Sequence, residues 1–410
     1  MNKLGLFDAF GVELEYMIVD RDTLAVKPVA DELLKHELGN FGSDFENGII
    51  TWSNELSLHV IEIKSTEPEF NFNTLENGFG DNVKRINQIL LKWNAMLMPS
   101  AAHPLMKPEQ ELKIWPHDNN EVYSVYNKIF DCRGHGWSNL QSTHLNLPFA
   151  NDEEFGKLHA AIRLILPILP ALCASSPLLE GKTTGLLDTR LKYYKENQQQ
   201  IPTIAGRIIP EPIFSQKKYE SFVYEQIKKD IAPFDPDNVL DPIWVNSRGA
   251  IARFDRGAIE IRVMDVQECP LADMAIQSLV IAALRSLVGE EIVSYDEQRE
   301  ASTEILEGIF NDTMVHGMQT EIFSSEYLSF FGLSEFSTAG VIWQQIFKKQ
   351  ANTGTPPLSK WSPELSIIFN QGCLAERILK TLNGNFSEAS IKMVYRKLCA
   401  CLEQDKLFII

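Results

Sequence analysis

Apolar and polar positions alternate with period two in three short segments, and in each the polar positions carry chemistry. The segments are Gly11-Val12-Glu13-Leu14-Glu15-Tyr16, Thr143-His144-Leu145-Asn146-Leu147 and Ala258-Ile259-Glu260-Ile261-Arg262-Val263. Side chains two apart on a strand share a face. Glu13 therefore points with Glu15, His144 with Asn146, and Glu260 with Arg262, while Val12, Leu14, Leu145, Leu147, Ile259, Ile261 and Val263 turn to a core. Residues 7–20 read as one full strand, and 58–64 as another that is apolar on both sides of Glu62. Val83, Ile86, Leu90, Trp93 and Leu97 then recur at helical spacing. Further helices are expected over 153–173, 217–229 and 273–288, and throughout the portion beyond about 295. Residues 111–136, aromatic and glycine-bearing, read as a loop lining a site, and Asn352 to Pro357 as the clearest connecting loop. Strands with one apolar and one polar face, set among helices, predict an α+β fold with a largely antiparallel sheet rather than a doubly wound parallel one.

Composition adds boundaries. The 410 residues are 44% apolar and 23% charged, an ordinary globular balance. No repeat or low-complexity linker divides them, so residues 1–410 are expected to form a single domain. A net charge of −17 without a basic patch argues against nucleic acid. The six cysteines contain no C-x-x-C pair, which fits thiols in a reducing compartment and not a disulfide scaffold or thiolate zinc site. No signal peptide is expected, because the Glu-rich strand follows the N-terminus without a basic start and apolar stretch. The most apolar run, 164–179, holds three prolines and is too short to span a bilayer. A cytoplasmic protein is the expectation.

The polar faces carry candidate ligands for a hard divalent cation. Glu13 and Glu15 repel unless a cation stands between them. Glu55 and Glu62 flank the run Leu56 to Ile61, and Glu62 and Glu260 each lie between two isoleucines or their equivalent, where an uncompensated carboxylate is costly. Solvated acids on an edge strand, a core histidine at 144 and a Glu260–Arg262 ion pair are the plain structural alternatives. No H-E-x-x-H, G-x-G-x-x-G or G-x-S-x-G occurs. Gly181-Lys182-Thr183 ends like a P-loop, but Ser176 stands where its first glycine belongs. The residues alone leave open a metal-dependent amide or phosphoester hydrolase, a two-carboxylate glycosidase and a non-catalytic binding protein.

In order, Gly-Val-Glu-Leu-Glu, Glu55 with Glu62, Thr-His-Leu-Asn, Ser175-Ser176-Pro177 with Gly185 and Arg190, and Ile-Glu-Ile-Arg-Val-Met-Asp resemble the glutamate–cysteine ligase superfamily, including its second family, the carboxylate–amine ligases. The resemblance covers roughly residues 7–290. It implies a glutamine synthetase-like catalytic domain, with a curved antiparallel sheet forming a metal-lined funnel and helices on the outer face. It implies Mg2+ or Mn2+ held by Glu13, Glu15, Glu55, Glu62, His144 and Glu260, and ATP as co-substrate. Arg262 would contact the transferring phosphate and, with Glu260, serve catalysis. Arg190 would hold the substrate carboxylate, with Asn146 and Arg248 near substrate or nucleotide and Arg253 a looser candidate. The implied partners are a carboxylic acid such as glutamate, an amine such as cysteine, and ATP, with no nucleic acid or membrane; a homodimer is compatible with the chain. Thr-His-Leu-Asn is closer to the true glutamate–cysteine ligases than to the His-Val-His form of the second family, which leaves the amine open.

Overall fold

The computed structural model of the chain describes residues 3–354 and 357–410, so Thr355 and Pro356 of the expected loop lie outside the described residues. Eight strands build the main sheet: β1 (Gly11–Asp20), β2 (Asp44–Asn47), β3 (Ile50–Asn54), β4 (Val60–Ser65), β5 (Ala95–Met98), β6 (Ser142–Pro148), β7 (Ala250–Arg253) and β8 (Ala258–Asp265). Their order is β2-β3-β4-β1-β6-β8-β7, every pairing is antiparallel, and β5 pairs with the far end of β1. The protein is α+β, as its period-two pattern predicts.

The alternation holds at each of the three segments. Val12, Leu14, Leu145, Leu147, Ile259, Ile261 and Val263 are all 0% exposed and join one large apolar cluster. Helices Phe72–Leu90, Asp152–Ile165 and Pro270–Val288 cover that face. The first starts at Asn71, whose side chain accepts the Asn73 N–H, and it buries Leu75, Phe79, Val83, Ile86 and Leu90. It ends sooner than its spacing predicts. Asn94 adopts φ +51°, which breaks the helix and delivers Leu97 into β5. Pro270–Val288 is long and apolar enough to cross a bilayer, yet 72% of its most apolar window is buried in the protein.

Two expectations need correction. Residues 120–130 form a helix and not a loop, because Val122, Tyr126 and Ile129 make an apolar stripe that packs inward; the glycines that suggested a loop, Gly134 and Gly136, lie beyond its end. The 153–173 helix is broken after Ile165 into a 3₁₀ turn, Leu166–Ile168, and a single turn, Pro170–Cys173. Pro167 and Pro170 lack the N–H that a continuous helix needs.

The C-terminal helices are tied to the end of β8. Arg377, on helix Leu374–Leu382, pairs with Glu268 at 2.5 Å, and both side chains are fully buried. Glu268 also accepts the Phe408 N–H, and Arg377 donates to the Phe408 carbonyl. Removing one member of a buried pair leaves the other charge unsatisfied. Arg377→Met should therefore lower unfolding free energy by about 3–5 kcal/mol, read by equilibrium urea denaturation; a loss well below that range would show that the pair does not hold the C-terminal portion.

Candidate active site

Strand register gathers the polar side chains. Across β1 and β4, Glu13 lies opposite Lys64 and Glu15 opposite Glu62. On the other side of β1, Glu13 lies opposite His144 of β6, and Gly11 opposite Asn146. A side chain at Gly11 would bring a Cβ within 3.0 Å of Asn146 Cβ. The glycine therefore leaves Asn146 room to donate to Glu13 Oε1 at 3.0 Å. Between β6 and β8, Asn146 faces Glu260, and the register then slips between Ile261 and Met264. That bulge inserts one residue opposite His144, so Asp265 and not Met264 faces Ser142.

The polar face floors a cavity of about 550 Å³. Glu13, Glu15, Glu55, Glu62, Lys64, His144, Glu260 and Arg262 line its base. His144 Nδ1 is 2.7 Å from Glu13 Oε2 and 3.6 Å from Glu260 Oε1. His144 Nε2 is 2.9 Å from Ser142 Oγ, and Glu15 Oε2 accepts both the Ser142 N–H (2.7 Å) and hydroxyl (3.1 Å). Arg262 Nε stands 3.1 Å from Glu260 Oε1, and Lys64 Nζ 2.9 Å from Glu62 Oε1.

Protonation follows from this crowding. Burial raises Glu62 to about 7, with Glu13 and Glu15 adding to the rise against the pull of Lys64. Burial, with Glu15 and Glu62 nearby, also holds Glu55 well above the ordinary carboxylate range. Burial opposes ionisation of Glu13 as well, but the His144 hydrogen bond and charge outweigh it and bring that carboxyl down to about 2. His144 rises to about 9: burial disfavours its cation, and Glu13 more than compensates.

Two sets of donors, Glu13–His144–Glu260 and Glu15–Glu62–His144, each bring their ligand atoms within 4.8 Å of one another. Carboxylate oxygens with one imidazole suit a hard divalent ion, and burial beside neighbouring carboxylates raises Glu55 and Glu62. The residues fit such an ion. Glu55 lines the cavity but belongs to neither set.

The arginines divide. Arg190 reaches the cavity, but its Nε donates to Asp265 Oδ1 at 2.5 Å and Nη2 to the Arg262 carbonyl at 3.3 Å. Asp265 Oδ2 accepts from the Ser175 N–H and the Ser176 hydroxyl, so the Ser-Ser-Pro turn and the end of β8 meet at one carboxylate. Arg248 is not brought to the cavity. Glu211 takes its Nε and Nη2, at 2.6 and 2.7 Å, and Asn246 and the Thr203 carbonyl take Nη1. Asn146 reaches the site only through Glu13. Arg253 lines the wall, paired with Asp255 and 3.8 Å from Glu260.

Lys64, Trp137 and Trp244 line the cavity without having been singled out in the sequence, whereas Tyr123 and Tyr126 fall in the 111–136 segment expected to line a site. Lys64 was legible, two residues beyond Glu62 on the same strand face. Tyr123 and Tyr126 of the Asn120–Phe130 helix, Trp137 and Trp244 make an aromatic wall, in which Tyr126 meets both tryptophans edge-on at about 5 Å. Trp244 had no signal, lying in a stretch without pattern.

Among solved structures, the chain resembles the glutamate–cysteine ligase of Francisella tularensis in complex with AMP, with a TM-score of 0.60 and 10% identity, covering 98% of this chain and 90% of that one. It also resembles a bifunctional glutathione synthetase of Pasteurella multocida, with a TM-score of 0.59 and 13% identity over 98% of this chain and 52% of that one. At such identities the likeness is one of fold. In sequence, residues 9–323 match glutamate–cysteine ligase family 2, and the chain belongs to that family. An uncharacterized protein of Archaeoglobus fulgidus is 31% identical over 402 residues, 97% of this chain and 100% of that protein. A protein of Bradyrhizobium sp. (strain ORS 278), provisionally named glutamate–cysteine ligase 2, is 25% identical over 287 residues, 68% of this chain and 62% of that protein.

Linkage gives a prediction with a sign. Glu62 is raised to about 7 in the fold, so its stabilising contribution is complete below the ordinary value of 4.5 and is lost as pH rises through 7. That of His144 is complete below 6.5 and is lost as pH rises through about 9. A divalent ion takes the place of these protons. The rise in Tm caused by Mn2+ should therefore grow from pH 6 to pH 9, measured by thermal denaturation after EDTA treatment. A rise that is absent, or that shrinks with pH, would remove the metal from these residues.

Proposed function

We propose that this protein is an ATP-dependent carboxylate–amine ligase that forms an amide of the γ-glutamyl type through an acyl phosphate. The observation that carries the reading is the polar sheet face: carboxylates and His144 crowd one cavity with Arg262 and Lys64 beside them. Membership of glutamate–cysteine ligase family 2 supports it.

The chemistry must overcome a carboxylate that is inert to amines. Transfer of the ATP γ-phosphoryl group to the acid breaks the bond to ADP and makes the acyl carbon electrophilic. The amine nitrogen then attacks that carbon, its surplus proton is lost, and inorganic phosphate leaves. Glu13, Glu15, Glu62, His144 and Glu260, with Glu55 beside them, are the residues that would hold Mg2+ or Mn2+. Such ions supply positive charge to phosphate oxygens and align them. Arg262 contributes a planar cation to the transferring phosphoryl group, oriented by Glu260. Arg190, its guanidinium oriented by Asp265, donates from its remaining edge to the acid's carboxylate. The aromatic wall of Tyr123, Tyr126, Trp137 and Trp244 keeps water from the acyl phosphate. Glutamate and cysteine head the substrates by family, and the cytoplasm is the location that suits them.

The deciding assay is phosphate release from Mg·ATP with L-glutamate present, across amines with and without cysteine, products identified by mass. Cysteine-dependent release with the mass of γ-glutamylcysteine establishes acid and amine together. Release with another amine keeps the mechanism and changes the substrate. Turnover of amides or phosphoesters with metal but without ATP would replace the ligase by a hydrolase. Glu260→Gln should lower turnover by roughly 100-fold or more, the scale of one lost charge partner in the transition state, with an unchanged circular dichroism spectrum. Arg262→Lys should be severely impaired as well, since a point charge cannot replace the planar fork; near-normal rates in either variant would take that residue out of the mechanism.

A further inference from the structure

Lys64 is the one lysine among the described residues lining the cavity, and it stands among carboxylates able to hold a metal ion. Its ammonium lies 2.9 Å from Glu62 Oε1 and 3.7 Å from Asp44 Oδ1. Glu62 belongs to one of the two donor sets competent for a divalent ion, so Lys64 is a resident rival for the same carboxylate. Its side chain is 34% exposed and lines the cavity.

Register gives this placement a meaning. One row across the sheet runs Lys64, Glu13, His144 and, in the bulge, Arg262. The two cations flank Glu13 and His144 in this row, three strand spacings or roughly 14 Å apart along the backbone. A bound polyanion above the carboxylate floor would then meet Arg262 on one side and Lys64 on the other. A divalent ion arriving at Glu62 repels the ammonium and weakens its hold there, which frees Lys64 for an anion. We propose that Lys64 is an anion-binding residue of this site, held on Glu62 while the floor is without metal and turned to a phosphate oxygen of the substrate once a divalent ion occupies it. The inference rests on the ATP-dependent reading above and adds an order to it, metal before anion.

The test is direct binding to the full chain, with Mn2+ and inorganic pyrophosphate as probes in isothermal titration. In the absence of anion, Lys64→Met should bind Mn2+ more tightly by about tenfold or more, because a like charge has gone. With Mn2+ saturating, the same variant should bind pyrophosphate about tenfold more weakly or worse, while Lys64→Arg, which keeps the charge, recovers most of that affinity. Should Lys64→Met fail to fold, Lys64→Gln is read in the same titrations. Pyrophosphate affinity equal to wild type in the uncharged variant overturns the proposal and leaves Lys64 a counter-ion of Glu62 alone. A wild-type protein that binds neither probe overturns the ATP-dependent reading along with it. Wild-type binding of both, with no change on losing the lysine, overturns the lysine's role only.

Discussion

Glu13, Glu15, Glu55, Glu62 and Glu260 share one cavity built on adjacent antiparallel strands, and their mutual repulsion is the constraint that the site must answer. Two like charges 4 Å apart cost about 4 kcal/mol at an effective dielectric of 20, against a folding margin of about 5–15 kcal/mol for a whole domain. The chain meets this in three ways at once. Lys64 and Arg262 stand within ion-pair distance of Glu62 and Glu260. His144 sits against Glu13 and takes up a proton to do so. Glu55 and Glu62, where burial and neighbouring carboxylates prevail, are pushed toward their neutral forms.

Outside the floor, the same economy of charge continues in pairs whose arginines are buried. Arg190 is matched by Asp265, Arg248 by Glu211, and Arg377 by Glu268. The first of these depends on the bulge in β8. A regular strand would turn Met264 to the Ser142 side, and the Ser175–Ser176 turn would lose the carboxylate that anchors it. A single inserted residue thus joins the Ser175–Ser176 turn, and Arg190 on helix Thr189–Glu196, to the strand that carries Glu260 and Arg262.

Much of this was legible in the sequence because a strand's period is two. Glu13 with Glu15, and Glu260 with Arg262, could be put on one face, and their neighbours in the core, from spacing alone. The α+β class followed from the same alternation. What spacing could not supply was register. It does not say that Glu13 pairs with His144, or that a bulge interrupts the alternation after Ile261, because both depend on contacts distant in sequence. Helix ends failed for local reasons: Asn94 in the left-handed region sends Leu97 to a strand, and two glycines past its end disguised the Asn120–Phe130 helix as a loop. Arg248 could not be told from a site arginine, since its partner Glu211 lies 37 positions away in a patternless segment.

Pairing also bears on the role proposed for Arg190. Arg190 is 2% exposed, and with Asp265 against Nε its net charge is largely cancelled where it meets the cavity. What it retains is direction: Nε and Nη2 have partners, and Nη1 has none among the described residues. Such a group adds little long-range attraction for an acid, but it offers a donor whose orientation is already set, so little freedom is lost on binding. Arg262 and Lys64, by contrast, are each paired with carboxylates that would also be claimed by a divalent ion. In the proposed reading, their charge becomes available to an anion as that ion takes their partners. On that reading, pairing separates two tasks in the cavity: a neutralised, oriented arginine that would select an acid by geometry, and two cations whose field would depend on what else is bound.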